Sequence, residues 1–221
     1  VWQQIEADLA SSVPMSRLLQ GDVGSGKTVV AAMAMLQAVA SGYQAALMAP
    51  TEILAAQHYE SLCSLLGEVS LTHNGIEEPL RIALLTGSLP AREKDDVRGA
   101  MAAGQIDIVV GTHALIQEGV QFDHLGLVVV DEQHRFGVEQ RMKLRQRGGI
   151  EAVPHMLVMT ATPIPRTLAL TIYGDLDVSV IDEMPPNRQR VITYLLEPRE
   201  RERAYRFVRS HVEKGQQAFV I

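Results

Sequence analysis

The sequence predicts an α/β fold, with a mainly parallel sheet covered by helices on both faces. Short apolar segments alternate with longer helix-like segments along most of the 221 residues. This alternation is typical of parallel strands that are joined by helical crossovers. In addition, the apolar run at 127–130 ends on the adjacent carboxylates Asp131 and Glu132. Open α/β sheets bind ligands at the carboxyl ends of their strands, so this position marks a candidate site.

The strands are predicted from short apolar runs, and the helices from the longer segments between them. Strands are expected at residues 17–20, 44–49, 81–85, 107–110, 127–130 and 156–159. Helices are expected at residues 27–40, 51–66, 90–103, 138–146 and 165–173. The first helix is apolar nearly all round and should be buried. Gly42 ends it, Thr51 can cap the next helix, and Pro165 suits a first helical turn.

A linker is predicted where Pro185, Pro186 and Asn187 follow one another. It divides the chain into a domain at 1–185 and a segment at 186–221. The second segment should contain the linker and the start of another α/β unit. Its expected elements are a strand at 191–196, a charged helix at 198–213 and a strand at 217–221.

The composition indicates an ordinary globular protein, with 47% hydrophobic and 21% charged residues. No apolar run is long enough to span a membrane, and no signal peptide is visible. The single cysteine, Cys63, cannot form an internal disulfide and fits a reducing cytoplasm. The net charge of −6 excludes nucleic-acid binding by overall charge alone, so any such role must depend on local contacts.

Residues 21–28 match the phosphate-loop pattern G-x-x-x-x-G-K-[ST] in full. They are Gly21, Asp22, Val23, Gly24, Ser25, Gly26, Lys27 and Thr28. The glycines let backbone amides approach phosphate oxygens, and the helix N-terminus completes an anion site. Lys27 would place its charge on the β and γ phosphates, and Thr28 would offer a hydroxyl to Mg²⁺. The alternative is a glycine-rich turn with a solvated lysine, which the complete match disfavours.

Together with the phosphate loop, Asp131 and Glu132 predict a site for nucleoside triphosphate hydrolysis. A carboxylate at the end of a buried strand can hold Mg²⁺, which makes Asp131 the candidate metal ligand. The neighbouring Glu132 can orient and deprotonate the attacking water. Without the loop, an Asp-Glu pair would be an ordinary charged strand end. His134 is either a structural histidine or a link from the nucleotide site to another element, and the residues leave both readings open.

Small polar residues follow the other predicted strands. Thr160 and Thr162 could bond to the His134 region or to phosphate, and they also suit the cap of a helix before Pro165. Other strand ends carry Pro50, Thr51, Gly87, Gly111 and Thr112. Amides and hydroxyls at such positions can contact a phosphate backbone. Turn and cap chemistry is the alternative, and spacing alone favours it.

These motifs, in this order, resemble the first motor lobe of superfamily 2 helicases, which have a RecA-like P-loop NTPase fold. Within that superfamily the chain is most similar to the RecG family of bacterial branched-DNA helicases. The resemblance covers almost the whole chain and is carried by residues 21–28, 48–52, 111–114, 131–138 and 159–167. The Arg-Phe-Gly-Val extension at 135–138 is shared with the Mfd family of transcription-repair coupling factors. Ser25 and Gln133 favour the RecG family.

The resemblance implies an ATP-dependent DNA helicase or translocase that remodels stalled forks and Holliday junctions in DNA repair and recombination. ATP and Mg²⁺ are then the cofactors, and branched or forked duplex DNA is the partner. Catalytic roles are implied for Lys27, Asp131, Glu132 and His134. Coupling roles are implied for Gln133, Thr160 and Thr162, and DNA contacts for Pro50, Thr51, Gly87, Gly111 and Thr112. An Mfd-like translocase and a module that ATP switches without translocation are the alternatives.

The resemblance also implies further parts of the same polypeptide. They are an N-terminal wedge domain, a glutamine motif that reads adenine, and the rest of motor lobe 2 with its arginine finger. We therefore expect a fragment, with residues 1–185 as motor lobe 1 and residues 186–221 as the linker and truncated start of lobe 2.

Overall fold

The computed structural model describes residues 1–73, 76–117, 119–131, 153–162, 176–183 and 192–219. By its internal packing the chain divides into two compact units, Val1–Pro185 and Pro186–Ile221. The identification of these units as motor lobe 1 and the start of lobe 2 stays a prediction. Within the described ranges, no helix combines the length and apolarity needed to cross a membrane.

The larger unit is built on a sheet whose seven described strands pair in parallel. These strands are β1 (Ser16–Gly21), β2 (Gln44–Met48), β5 (Ile82–Leu85), β6 (Ile108–Gly111), β7 (Leu125–Asp131), β8 (His155–Thr160) and β9 (Asp177–Ile181). Two more, β3 (Ser70–His73) and β4 (Ile76–Pro79), form a separate antiparallel pair. The order across the main sheet is β5-β6-β2-β7-β8-β1-β9. The predicted α/β fold with a mainly parallel sheet is confirmed.

Helices cover both faces of this sheet. They are α1 (Trp2–Leu9), α2 (Lys27–Ala40), α3 (Glu52–Leu66) and α4 (Ala91–Ala102), with a short 3-10 helix at His113–Ile116. Ala45 and Leu47 of β2 pack in the core formed with α2 and α3, whereas Ala46 and Met48 pack on the opposite face with Met101 of α4. Because β2 is buried on both faces, the residues that follow Gln44 in this strand are all apolar.

The helix boundaries follow local chemistry. The bounds of α2 are those predicted, and Gly42, just beyond its end, has a φ of +86° that favours glycine. Thr51 caps α3 as predicted, because its Oγ1 accepts a hydrogen bond from the N–H of Leu54 at 3.3 Å. This bond satisfies one of the donors that the first helical turn leaves open.

Four structural features were not among the predicted elements: α1, the β3–β4 pair, the 3-10 helix at His113–Ile116 and β9. Strand β9 includes Asp177 and Ser179, so no apolar run marks it, although it pairs with β1 along its length. The buried Arg17 of β1 donates hydrogen bonds to Ser179 Oγ at 2.8 Å and to Asp8 Oδ2 of α1 at 2.6 Å. Polar anchoring of this kind is invisible to hydrophobic periodicity.

Two strands predicted in the second unit are wrong in their described parts, because residues 192–196 and 217–219 are not in strands. Leu195 is fully exposed. A strand needs a hydrogen-bonded neighbour, which the described part of this unit does not provide. The charged helix is confirmed, as a 3-10 turn at Pro198–Glu200 followed by α5 (Arg201–Val212). The helices predicted at 138–146 and 165–173 lie outside the described residues.

Buried Gln44 fixes two loops at the amino end of the sheet. Its Nε2 donates to the carbonyls of Met101 at 3.0 Å and Ile106 at 2.7 Å. Its Oε1 accepts from the N–H groups of Asp123 at 2.8 Å and His124 at 3.2 Å. The amide has two donor hydrogens and two acceptor lone pairs, so its hydrogen-bonding capacity is fully used.

Replacing Gln44 by Leu is expected to destabilise the protein, although the two side chains are similar in size. Four backbone groups lose this partner, at about 1–3 kcal/mol for each group that stays buried and unsatisfied. We therefore expect the free energy of unfolding to fall by roughly 3 kcal/mol or more in equilibrium urea unfolding. The exposed Gln37→Leu is the control and should stay within about 0.5 kcal/mol. Equal stability of both variants would contradict the structural role of Gln44.

Candidate functional site

The parallel strands bring the predicted motifs to one edge of the sheet. Asp131 at the end of β7 is in register with Met159 of β8, which is in register with Leu19 of β1. Neighbouring strands lie about 4.8 Å apart, so Asp131 is on the order of 10 Å across the sheet from Leu19. The phosphate loop begins two residues after Leu19. Asp131 and the phosphate loop, which are distant in sequence, therefore lie at the same edge of the sheet.

The phosphate loop leaves β1 at Gly21 and enters α2 at Lys27. Gly24 and Gly26 have φ angles of +78° and +93°, a left-handed conformation that strains any other residue. Gly26 is also the N-cap of α2. The loop therefore ends at a helix N-terminus, where unpaired amides and the helix dipole favour an anion.

Close packing explains the third glycine, Gly21. A Cβ at this position would lie 2.5 Å from Ser25 Oγ and 3.2 Å from Cβ of Ile181 in β9. The Ser25 Oγ is itself buried and finds no hydrogen-bond partner in the described part of the chain. Buried hydroxyls are normally paired, so this atom fits a loop that receives an oxygen-rich ligand.

Lys27 reaches back across the loop. Its Nζ donates to the carbonyl oxygens of Gly21 at 2.7 Å and Asp22 at 2.8 Å. These bonds hold the positive charge over the loop before any ligand binds. A polyphosphate therefore meets a cation whose side chain is already ordered.

The candidate metal ligand Asp131 has a partner that the sequence did not reveal. His58 of α3 places Nε2 at 2.7 Å from Asp131 Oδ2, and the two side chains are 13% and 12% exposed. The residues are 73 positions apart and belong to a helix and a strand. No rule of sequence spacing links these two residues. The signal that the sequence offers for this contact is a polar residue, His58, within α3.

Thr28 and Asp131 offer the oxygen ligands that Mg²⁺ prefers. Among the residues that the structure describes, there is no group of three or more His, Cys, Asp or Glu side chains that could hold a metal ion. Mg²⁺ is commonly bound through one or two protein oxygens together with substrate phosphates and water. The donors at this edge therefore fit a metal ion that is bound together with a nucleotide.

Thr160 and Thr162, at the end of β8, bond to each other. Their Oγ1 atoms are 2.9 Å apart, and the N–H of Thr162 donates to Thr160 Oγ1 at 3.2 Å. These contacts are local to the end of β8. The helix that the two residues were expected to cap lies outside the described residues, as do Glu132, Gln133 and His134, so the helix cap and the bonding to the His134 region or to phosphate stay predictions.

The remaining candidates lie on the other half of the same edge. Leu85 of β5, Gly111 of β6 and Met48 of β2 are in register, so the segments that follow these strands leave the sheet side by side. Gly87 is exposed, and Pro50 and Thr51 are partly exposed.

Two of these candidates are buried. Gly111 is buried, and Thr112 is 8% exposed. A Cβ at Gly111 would lie 2.3 Å from the carbonyl oxygen of Leu85, so sheet packing alone requires glycine here. Sequence spacing could not distinguish this steric requirement from a ligand contact.

Glu52 connects the loop after β5 to the start of α3. Its Oε1 accepts a hydrogen bond from the N–H of Ser88 at 3.0 Å, while Lys94 of α4 donates to the carbonyl of Gly87. Hydrogen bonding from the Ser88 side chain holds the pKa of Glu52 below its ordinary value. Side chains from two helices thus fix this loop at the edge of the sheet.

Residues 4–171 match the protein-family model described as DEAD/DEAH box helicase. The chain belongs to the DEAD/DEAH box helicase family. A solved helicase domain of Pyrococcus furiosus Hef has a TM-score of 0.56 at 21% identity and covers 81% of this chain and 38% of that one. At that identity the likeness shows the fold alone, and it agrees with the predicted RecA-like fold.

Similar helicases of higher identity carry the name RecG. The "ATP-dependent DNA helicase RecG" of Mycobacterium tuberculosis is 53% identical over 219 residues, covering 96% of this chain and 30% of that protein. The Bacillus subtilis protein of the same name is 52% identical over 221 residues, covering 100% of this chain and 31% of its own length. A structure of RecG bound to a three-way DNA junction has a TM-score of 0.78 at 47% identity, covering 99% of this chain and 28% of that one.

The chain thus spans about 30% of the length of the curated relatives that it matches.

Gly21→Ala is expected to weaken nucleotide binding, because the new Cβ forces Ser25 and the loop to move. Overpacking costs about 1–3 kcal/mol, so we expect a loss of affinity of roughly tenfold or more for a fluorescent ATP analogue. The double variant Gly21→Ala/Ser25→Ala removes the nearest atom and should recover part of this affinity.

Gly99→Ala in α4 is the control, because a Cβ there meets nothing within 4 Å. It should bind the analogue as the parent protein does. Parental affinity in Gly21→Ala would show that the close packing of the loop does not matter for binding.

Proposed function

We propose that this chain is the ATP-binding part of the motor of an ATP-dependent DNA helicase that remodels branched DNA in repair and recombination. The proposal is supported mainly by the division of one edge of the sheet into two halves that carry different groups. Strands β1, β8 and β7 present the phosphate loop and a carboxylate, and β2, β6 and β5 present small polar residues beside them. The RecG relatives, and the RecG structure with a three-way DNA junction, support DNA as the partner.

On the nucleotide half, the amides of residues 21–28 and the ammonium of Lys27 bind the phosphates of ATP. Ser25 Oγ then gains the partner that the described residues do not give it. Thr28 and Asp131 hold Mg²⁺, which supplies charge neutralisation on the β and γ phosphates. Glu132, next to Asp131, orients and deprotonates the water that attacks the γ-phosphate in line. Positioning and electrostatics are the main catalytic contributions.

Gln133, His134, Thr160 and Thr162 link hydrolysis to motion. The position of β8 between β7 and β1 supports this role, because its end borders both the carboxylate strand and the phosphate-loop strand. The hydroxyl pair formed by Thr160 and Thr162 is therefore next to the site of hydrolysis.

On the other half, DNA is held through its backbone. The net charge of −6 means that local donors must make the contact. Pro50, Thr51 and Gly87 supply the accessible surface, while the buried Gly111 and Thr112 shape the edge that presents them. Contacts of this kind position a protein on DNA without reading base sequence.

The proposed activity belongs to a longer polypeptide. Residues 1–185 form motor lobe 1, and residues 186–221 form the linker and the start of lobe 2. A wedge domain and the rest of lobe 2 supply the grip on branched DNA and an arginine finger, which stabilises transition-state charge. Without them, the chain is expected to bind ATP weakly and to hydrolyse it very slowly. The protein acts in the cytoplasm.

Glu132→Gln in the intact protein is expected to preserve ATP binding and to stop turnover. The amide can still bond to water but cannot accept its proton, and general-base catalysis contributes about 10²–10⁴-fold. Phosphate release with and without a forked DNA duplex measures the effect, and titration with a fluorescent ATP analogue measures binding.

Glu6→Gln, on the exposed side of α1, is the matched control. Normal steady-state hydrolysis in Glu132→Gln would remove Glu132 as the base. Failure of forked DNA to stimulate the parent protein would instead favour a module that ATP switches without translocation.

Thr51→Asp is expected to weaken DNA binding, whereas Thr51→Ser should not. Asp and Ser both cap helices as well as Thr does, so the start of α3 is preserved in either variant. Only Asp adds a negative charge against a phosphate, and loss of one charge-assisted contact corresponds to roughly tenfold in affinity. Fluorescence anisotropy with labelled forked DNA measures this difference. Equal affinities for the two variants would remove Thr51 from the DNA contact.

A further inference from the structure

His58 is a largely buried side chain to which the proposed mechanism gives no role. It lies on α3, and its Nε2 is 2.7 Å from Asp131 Oδ2. Both side chains are almost fully withdrawn from solvent, at 13% and 12% exposure. A short polar contact at this depth restricts both partners more than a surface contact does, because water competes poorly for either group.

The contact with His58 involves one oxygen of the Asp131 carboxylate, Oδ2, and leaves Oδ1 outside this hydrogen bond. Oδ2 is held by His58, and this fixes the rotation of the carboxyl group at the end of β7. Oδ1 is then the oxygen left for Mg²⁺ or for a water bound to it. Carboxylates that ligate metals are commonly held by partners behind them, and loss of such a partner typically costs 10–100-fold in metal affinity or activity.

The partner of Asp131 comes from the helix that also reaches the other half of the edge. α3 runs without interruption from Glu52 to Leu66. Thr51 caps its first turn, and Glu52 holds the N–H of Ser88 in the loop after β5. His58 follows Thr51 by seven residues, which is about 10 Å along the helix axis. One rigid element thus touches the metal carboxylate and the segments proposed to contact DNA.

We propose that His58 is a positioning residue, which orients the carboxylate of Asp131 for Mg²⁺ bound together with a nucleotide. Through His58, the orientation of this carboxylate is linked to the end of α3 that is proposed to contact DNA. The inference rests on the proposed function, because it assigns Mg²⁺-ATP to one half of the edge and DNA to the other. When α3 contacts DNA, its movement shifts His58, the hydrogen-bond partner of Asp131. DNA binding thereby changes the affinity of the site for the metal ion.

Mn²⁺ binding tests the positioning role without measuring catalysis. In the intact protein with a non-hydrolysable ATP analogue, electron paramagnetic resonance measures the affinity for Mn²⁺. His58→Ala should lose about 10–100-fold in Mn²⁺ affinity. His58→Gln should stay within about threefold of the parent, because its amide nitrogen can take the place of Nε2.

His58→Asn distinguishes the effect of losing the hydrogen bond to Asp131 from the effect of replacing the imidazole in general. It carries the same amide one methylene closer to the helix, out of reach of Oδ2, so it should behave like His58→Ala. Gln57→Ala, on the exposed side of α3, should bind Mn²⁺ as the parent does. An affinity in His58→Ala and His58→Asn equal to that of His58→Gln would overturn the positioning role. Comparing the two amide variants keeps the test valid if His58→Ala does not fold.

The link to DNA is tested by repeating the titrations with a synthetic forked duplex. DNA should change the Mn²⁺ affinity of the parent protein and of His58→Gln, and this change should largely disappear in His58→Asn. An equal change in His58→Asn, or no change in the parent, would overturn the link. A parent protein that binds neither the analogue nor Mn²⁺ with it would instead contradict the proposed function, so the two failures are distinct.

Discussion

The parallel register of β1, β8 and β7 is the constraint on which the proposed site depends. It sets Asp131 level with Met159 and Leu19, and thus brings the carboxylate to the base of the phosphate loop. A shift of one residue in any of these strands would turn its side chains to the opposite face. The apolar residues of β7 pack into cores on both faces of the sheet, so such a shift would also disrupt the packing. The packing of the hydrophobic core therefore fixes the strand register, and the register sets the positions of the polar residues at the edge of the sheet.

Two helices connect this core to the chemistry of the edge. α2 begins at the phosphate loop, where Lys27 is held by two loop carbonyls. α3 is capped by Thr51 and carries His58, so it touches both halves of the edge. Since the core holds both helices against the sheet, a ligand on one half can influence the other through small movements of α3. Under the proposed function, α3 would connect the DNA contacts on one half of the edge to the metal site on the other.

The sequence predicted the central strands, helices α2 to α4 and the phosphate loop, because apolar runs and a complete motif report local structure. It did not predict α1 or β9, and the hydrogen bonds that join both elements to the buried Arg17 of β1 leave no signal in an apolar pattern. It assigned two strands to the second unit that its described residues do not form, because pairing depends on neighbours that a single segment cannot reveal. The contact between His58 and Asp131 was missed for a similar reason, since it arises only when a helix and a strand pack together. Gly111 is the opposite case. The sequence singled it out as a DNA contact, and packing against Leu85 is enough to explain why a glycine stands there.

The division of the edge into a nucleotide half and a DNA half is tested most directly by hydrogen–deuterium exchange of the intact protein. A non-hydrolysable ATP analogue with Mg²⁺ should slow amide exchange in the phosphate loop at 21–28. A forked DNA duplex should slow exchange most at 50–54 and 86–88, whereas the analogue should slow it most in the phosphate loop. Protection of the phosphate loop by DNA alone, with no effect at 50–54 and 86–88, would contradict the division of the edge into these two halves.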